Sequence, residues 1–483
     1  MEDIQSRFGR LGLFLPEILL PRKGIELEKW AVIACDQFTQ DRDYWERIKK
    51  STGGAPSALN LIYPEVFLND GDRTQRIDNI HRSMEQYLKG DVFAKPRQGC
   101  VYLERNTPFN KGRQGLVIAV DLEHYEWDPN ARRLIRCTEG TVPERLPPRM
   151  DIRRSAALET THVLLLIDDE QDSLFSGLAE RAKKNAPVYQ SVLMMEGGDL
   201  SGWFLGSEDD WNFIAGKLEE LIKRSATRYD NNKLPFLFAA GDGNHSLATA
   251  KEIWEEYKKS HSAGKNSIGD SPDDLPVHPC RYALVEIENI YDPAVKFEPI
   301  HRILFGINFD DALSLLSQLS GFSSRDVADR RELVRLVMER SVKSRLGLVG
   351  TTGKPGSTSA ETRYALIETD AQGLATVSLQ PLLDKWLETA AKSGGDQAGG
   401  SKVGPVPSID YIHGEEELFR LASVQPASGA AEQQPVAGIY LPPVKKSGLF
   451  ETVARSGPLP RKSFSMGEAG EKRFYLECRK LFG

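Results

Sequence analysis

The sequence predicts an α/β or α+β fold, built from mixed sheets with flanking helices. Three observations predict it. Short apolar runs of strand length alternate with stretches of helical periodicity along the whole chain. The strands and helices are not spaced as regular βαβ units, which argues against a purely parallel sheet. At 483 residues, 40% hydrophobic and 27% charged, the chain has the composition of an ordinary globular protein and the length for two or three structural units.

Residues 26–37 (ELEKWAVIACDQ) read as a short helix or turn and then a buried strand, VIAC, ending at Asp36. Helical spacing runs from Asp41 to Lys50 and from Thr74 to Leu88, with Ile77, Ile80, Met84 and Leu88 on one face. Strands follow at 100–105 and 115–120. The segment LIRCTEGTVPERLPPR (134–149) carries Pro143, Pro147 and Pro148 and is read as non-helical. A strand at 163–169, a helix near 171–184, a strand at 188–195 and a helix from about Asp209 to Arg224 come next. An apolar run then ends in Gly-Asp-Gly-Asn-His-Ser, and helical spacing resumes at Ala248, Ala250, Ile253, Trp254 and Tyr257.

Beyond this turn, 281–292 reads as a central strand and 296–305 as extended. Helices are expected at 309–319 and 326–341, among three strand-like runs: RLGLVG, RYALIET and GLATVSL. The segments 260–275, 351–362, 391–407 and 425–435 are rich in Gly, Ser, Pro and small polar residues, as in loops or insertions. The end of the chain reads as a strand (GIYLPPV), a helix starting near Ser447, the turn SGPLPRKSFSMG and a final charged helix. These elements group into an N-terminal part (1–230), a turn-centred core (231–310) and a C-terminal part (311–483).

Charge and motifs narrow the function. With 62 Lys+Arg against 69 Asp+Glu the net charge is −7, which gives no electrostatic footprint for nucleic acid. The N-terminus lacks the features of a signal peptide, and no apolar run reaches the roughly eighteen residues of a membrane span. Cys35, Cys100, Cys137, Cys280 and Cys478 form no CxxC pair, which fits a reducing cytoplasm. The patterns GxxxxGK[ST], GxSxG and HExxH are absent, and the histidines nowhere pair at metal-ligand spacing.

Four clusters can carry chemistry. In the first, Gly241, Asp242, Gly243, Asn244, His245 and Ser246 join a strand to a helix whose N-terminus attracts anions. The same residues are also ordinary turn and N-cap vocabulary. The second cluster offers Glu139, Thr141, Glu144, Arg145, Arg149 and Arg153: guanidinium groups for phosphate oxygens and a carboxylate as general base. The third is His301 with Arg302. The fourth, Arg461, Lys462, Ser463 and Ser465, is a second anion loop or a basic turn.

Together these clusters resemble the domain-of-unknown-function family 1015 along nearly the whole chain. Its blocks occur here in order as VIACDQFT, Thr138-Glu139-Gly140-Thr141 with ERLPPRMDIR, Asp242-Gly243-Asn244-His245-Ser246, Pro299-Ile300-His301-Arg302 and Pro460-Arg461-Lys462-Ser463. The family's turn in its own right is similar to the phosphate-binding turn of the ParB/sulfiredoxin-like superfamily, which includes nucleotide-dependent enzymes and free-serine kinases. The resemblance implies a ParB/sulfiredoxin-like core with large insertions. It also implies nucleotide phosphates at the helix N-terminus after Asp242, with His245 nearby and Glu139 as the nearest match to a catalytic carboxylate. Asn244 and Ser246 stand where the family has His and Arg. Arg145, Arg149 or Arg461 would have to replace that arginine in space.

The expected function is transfer of a phosphoryl group from ATP or ADP to a small hydroxylated metabolite, such as free serine. Glu139, Asp242 and His245 would be catalytic, the 145–153 arginines would neutralise charge, and Asp36 or Asp242 would hold Mg²⁺. The alternatives are a non-catalytic nucleotide-binding module, a ParB-like nucleic-acid-binding module, or a phosphate-ester hydrolase.

Overall fold

The computed structural model describes residues 3–229, 235–262, 278–352, 361–371, 374–395, 407–423 and 435–482. The segments expected as loops at 260–275, 351–362, 391–407 and 425–435 lie largely outside these. The chain packs into two units, Met1–Lys296 with Val453–Pro458 and Met466–Gly483, and Phe297–Thr452 with Leu459–Ser465.

The first unit is organised by a mixed sheet. Its strands run in the order Tyr189–Leu193, Gly198–Leu205, Cys100–Asn106, Arg113–Asp121, Tyr282–Asn289, Val163–Ile167, Phe238–Asp242, Ile135–Cys137. The first five are mutually antiparallel, and Tyr282–Asn289 runs parallel to Val163–Ile167. The central strands, GLVIAV and YALVEI, are nearly continuous apolar runs and are buried along their length, as strands covered on both faces are. Strand Gly198–Leu205 was not expected. It forms a hairpin with Tyr189–Leu193 through Met195 and Glu196, both at positive φ.

Two expectations about this unit are corrected. Residues Leu146–Arg153 form a helix, because Pro147 and Pro148 fall in its first turn, where no intrahelical N–H bond is lost. The final charged helix does not form. In its place stand a 3₁₀ turn (Ala469–Glu471) and two short strands, Phe474–Tyr475 and Cys478–Lys480, paired with Val32–Ile33 and Leu158–Thr160. The charges that suggested a solvated helix face are buried ion pairs. Arg473 bonds Glu477 at 3.0 Å and pairs with Glu286, and Arg479 holds Glu159 at 2.7 Å. Arg105 and Arg113, which pair with Glu288, donate to the carbonyls of Lys472 and Glu471 at 3.1 and 3.2 Å. The C-terminal segment is thereby fastened to the middle of the sheet.

The second unit is an antiparallel sheet in the order Ser323–Val327, Thr362–Thr369, Ser344–Thr351, Val436–Tyr440, Phe297–Phe305, Ser408–His413. Alternate residues serve opposite faces. Leu304, Leu348 and Ile367 pack with helices Phe309–Leu316 and Ala375–Gly395, whereas Ile303, Val349 and Leu366 pack with Arg330–Met338 and Glu415–Ala422. GLATVSL, expected as a strand, opens the Ala375–Gly395 helix, because Leu379 and Leu383 recur at helical spacing and reach the same core. The helix expected from 326 starts at Arg330, after the short strand Ser323–Val327. Among the described residues no helix is long and apolar enough to cross a membrane.

Candidate functional site

Sheet topology places the Gly-Asp-Gly turn. Ile135–Cys137 and Phe238–Asp242 run parallel with Cys137 opposite Ala240, so both strands end at the same edge. Val163–Ile167 runs antiparallel to Phe238–Asp242 and begins at that edge, next to His162. A register shift between Ala240 and Asp242 re-aims the end of the strand. Gly243 then turns the chain at φ 78°, in the left-handed region. A Cβ there would stand 3.1 Å from Val163 Cα and 3.3 Å from His162 Cδ2. Helix Asn244–Ser262 follows at once, and the first-turn N–H groups of a helix have no intrahelical acceptor. Asn244 Oδ1 is buried there with no hydrogen-bond partner.

The Glu139 loop is tied to this turn at both ends. Thr138 Oγ1 donates to the Ala240 carbonyl at 2.5 Å, and Val142 N–H donates to His245 Nε2 at 3.2 Å. Glu139, Gly140 and Thr141 therefore run between two tethers beside the helix start. Accepting at Nε2 requires that this nitrogen carry no proton, so the imidazole of His245 acts here as an acceptor.

Beneath the turn lies a charged cluster. Asp242 Oδ2 pairs with Lys472 Nζ at 3.1 Å, and Asp242 Oδ1 accepts from Gly243 N–H at 3.0 Å. His162 Nε2 lies 3.7 Å from Asp36 Oδ2. The Tyr475 hydroxyl contacts His162 Nδ1 at 2.5 Å, Cys35 N at 2.9 Å and Cys35 Sγ at 3.3 Å. Burial opposes charge on His162, but Asp36, with help from Cys35 and Asp242, overcomes it and pushes the imidazole up to about 10. Burial would raise Asp242, yet Lys472 and His162 hold it below the usual carboxylate range. The cluster therefore sets His162 against Asp36 and Lys472 against Asp242, two basic side chains facing two carboxylates.

Of the residues singled out in the sequence, Asp36, Glu139, Gly241, Asp242, Gly243, Asn244, His245 and Ser246 lie in or beside this arrangement. Gly241 packs where a Cβ would meet Met466 Sδ at 2.6 Å, and Ser246 sits half-buried in the first helical turn. Arg145 is exposed, and its carbonyl accepts from Arg149 at 2.7 Å. Arg149 is ion-paired with Glu65, and Arg153 with Glu159. His301, Arg302, Arg461 and Lys462 belong to the second unit. His301 is buried on strand Phe297–Phe305, stacks on Tyr440 and accepts from Leu441 N–H at 3.1 Å. Burial first, then Arg302 and His413, lower its pKa to about 4. Arg302 donates to Gln380 at 2.9 Å, and Arg461 and Lys462 are exposed in a turn.

Sequence reasoning missed Cys35, His162, Lys472 and Tyr475. His162 precedes an ordinary buried strand, and Lys472 and Tyr475 come from the segment read as a helix.

The donor set does not fit a resident Mg²⁺. Asp242 is engaged by Lys472 and Asp36 faces an imidazolium, so a dication there would meet positive charge. Among the described residues no three His, Cys, Asp or Glu side chains converge on a metal position.

A family model described as "Protein of unknown function (DUF1015)" matches residues 19–381. No curated protein matches the chain. Among solved structures, a free serine kinase in complex with AMP is similar at 12% identity and TM-score 0.35, covering 76% of this chain and 92% of that one. A variant of free serine kinase in complex with ADP gives 12% and 0.36, covering 78% and 95%. A conserved hypothetical protein from Pyrococcus furiosus gives 12% and 0.31, covering 76% and 95%.

Proposed function

The chain belongs to the DUF1015 family, proteins of unknown function, and from its site we propose a nucleotide-dependent phosphotransferase acting on a small hydroxylated metabolite, with a free amino acid such as serine as the first acceptor to test. One observation carries the anion-binding half of this reading. The Gly243 turn presents a helix N-terminus directly above His162, with Lys472 on Asp242 alongside. Helix N–H groups, an imidazolium and an ammonium in one half-buried place suit the phosphates of ATP or ADP. The nucleotide and the acceptor come from the resemblance of the turn to the ParB/sulfiredoxin-like superfamily.

In this reading Asn244, His245 and Ser246 cradle phosphate oxygens through their N–H groups, and Gly243, whose own N–H is held by Asp242, shapes the turn. Lys472 and His162 supply the countercharge that the sequence assigned to arginines and Mg²⁺, and Asp242 fixes the ammonium. Glu139, on the tethered loop, accepts the proton of the attacking hydroxyl. No step is routed through a metal ion.

Glu139→Gln tests the catalytic half. The variant is expected to keep nucleotide affinity within about twofold while turnover falls by about two orders of magnitude or more. Equal losses of binding and turnover would remove Glu139 as base. Nucleotide binding by wild type without transfer to any hydroxylated amino acid, and without phosphate release, would leave a binding module in place of an enzyme.

A further inference from the structure

A cavity of about 110 Å³ opens at the edge of the first unit's sheet away from the Gly243 turn. Strand pairing sets its place. Val163–Ile167 and Phe238–Asp242 are antiparallel with Ala239 opposite Leu166, so the loop after the first strand meets the start of the second. That loop contributes Asp168 and Glu170 to the cavity, and helix Glu208–Arg228 contributes Leu221, Arg224, Ser225 and Arg228. The four helical residues recur at i, i+3, i+4 and i+7, one face of the last turns. Buried Leu221, Phe236 and Leu237 supply an apolar lining. A single water needs about 10–15 Å³, so a small organic molecule has room.

The charged groups around it are unequally engaged. Arg228 donates to Asp168 at 3.2 Å, and the Tyr229 hydroxyl donates to the same carboxylate. Arg224 has only long ion pairs, 3.8 Å to Asp169 and 3.9 Å to Glu220, and makes no hydrogen bond among the described residues. Both of those carboxylates have closer partners. Asp169 accepts from Leu174 N–H at 2.9 Å and from the Ser173 hydroxyl at 3.1 Å, and Glu220 is held by Lys217 at 3.2 Å. On the same helix Glu219 shows a filled fork, taking Arg7 at 2.7 and 2.9 Å. The Arg224 fork, beside an apolar cavity, is unfilled.

We propose that this cavity binds a small monocarboxylate with a short aliphatic body, its carboxylate forked on Arg224 and its body against Leu221, Phe236 and Leu237. Guanidinium and carboxylate match through two parallel N–H···O bonds, and the apolar lining favours methyl and methylene groups. Asp168 and Glu170 repel further negative charge, which sets the site against phosphate and dicarboxylates. The site lies at the other end of the strands from the Gly243 turn and stands whether or not that turn holds nucleotide.

The test titrates sodium isovalerate into the full chain carrying isotope-labelled leucine methyls, beside sodium chloride at equal ionic strength. The expected result is a saturable shift of the Leu221 and Leu237 methyl signals that chloride does not produce. Arg224→Met, which removes the fork from an exposed position, is expected to weaken binding by about tenfold or more. Arg224→Lys keeps the charge without the fork and should fall between that variant and wild type. Wild type with no saturable shift at Leu221 and Leu237 overturns the proposal without reference to any variant. So does affinity within about twofold of wild type in folded Arg224→Met. Inorganic phosphate binding there more tightly than isovalerate would make the cavity an oxyanion site and overturn it equally.

Discussion

Gly243 lies in the left-handed region at φ 78°, with Val163 and His162 against the place where a Cβ would stand. Gly243→Ala is expected to destabilise the first unit by about 1–2 kcal/mol and to weaken anion binding, read by urea denaturation and calorimetry. His162 sets a pH dependence of definite sign. Its folded pKa of about 10 lies above its ordinary value of 6.5, so its protonation favours the folded state. That contribution is full below about pH 6.5 and fades as pH rises through about 10. The gap in urea midpoint between wild type and His162→Gln should therefore be widest below pH 6.5 and close toward pH 10. A gap that widens with pH would refute the assignment. At this scale half of the site was legible in sequence. Gly241 to Ser246 announce themselves in six consecutive residues, but His162 and Lys472 reach them only through strand pairing.

Elements show where local pattern succeeds and where burial overrides it. The central strands and most helices were readable because their apolar residues recur at the right period, as Ile80 and Met84 do on helix Arg73–Lys89. The C-terminal segment was misread because its charges look solvated in sequence and are ion-paired in the core. Glu288 carries Arg113 in a bidentate pair at 2.6 and 2.8 Å, with Arg105 at 3.5 Å. Glu288→Gln would leave two buried guanidinium groups without their countercharge. It is expected to cost the first unit about 3–5 kcal/mol in urea denaturation. A loss below about 1 kcal/mol would mean that the pair is solvated and that the segment is not anchored as described.

The whole molecule comprises two units, each with its own sheet and core, and they carry opposite histidine linkages. His301 in the second unit is held neutral, with a folded pKa of about 4. Its unfolded form protonates near 6.5, so the second unit's stability from this group is full above that pH and is lost as pH falls through about 4. Wild type should lose more stability than His301→Asn over that interval, a difference readable by hydrogen exchange along Phe297–Phe305. The central claim concerns the first unit, that its Gly243 turn with Lys472 and His162 binds nucleotide phosphates. Its most direct test is calorimetric titration of ATP and of ADP into the full chain, wild type beside Lys472→Met. Saturable binding to wild type, weakened by about tenfold or more in a variant that folds normally, is the predicted result. No binding of either nucleotide to wild type, or equal affinity in the two proteins, would contradict it.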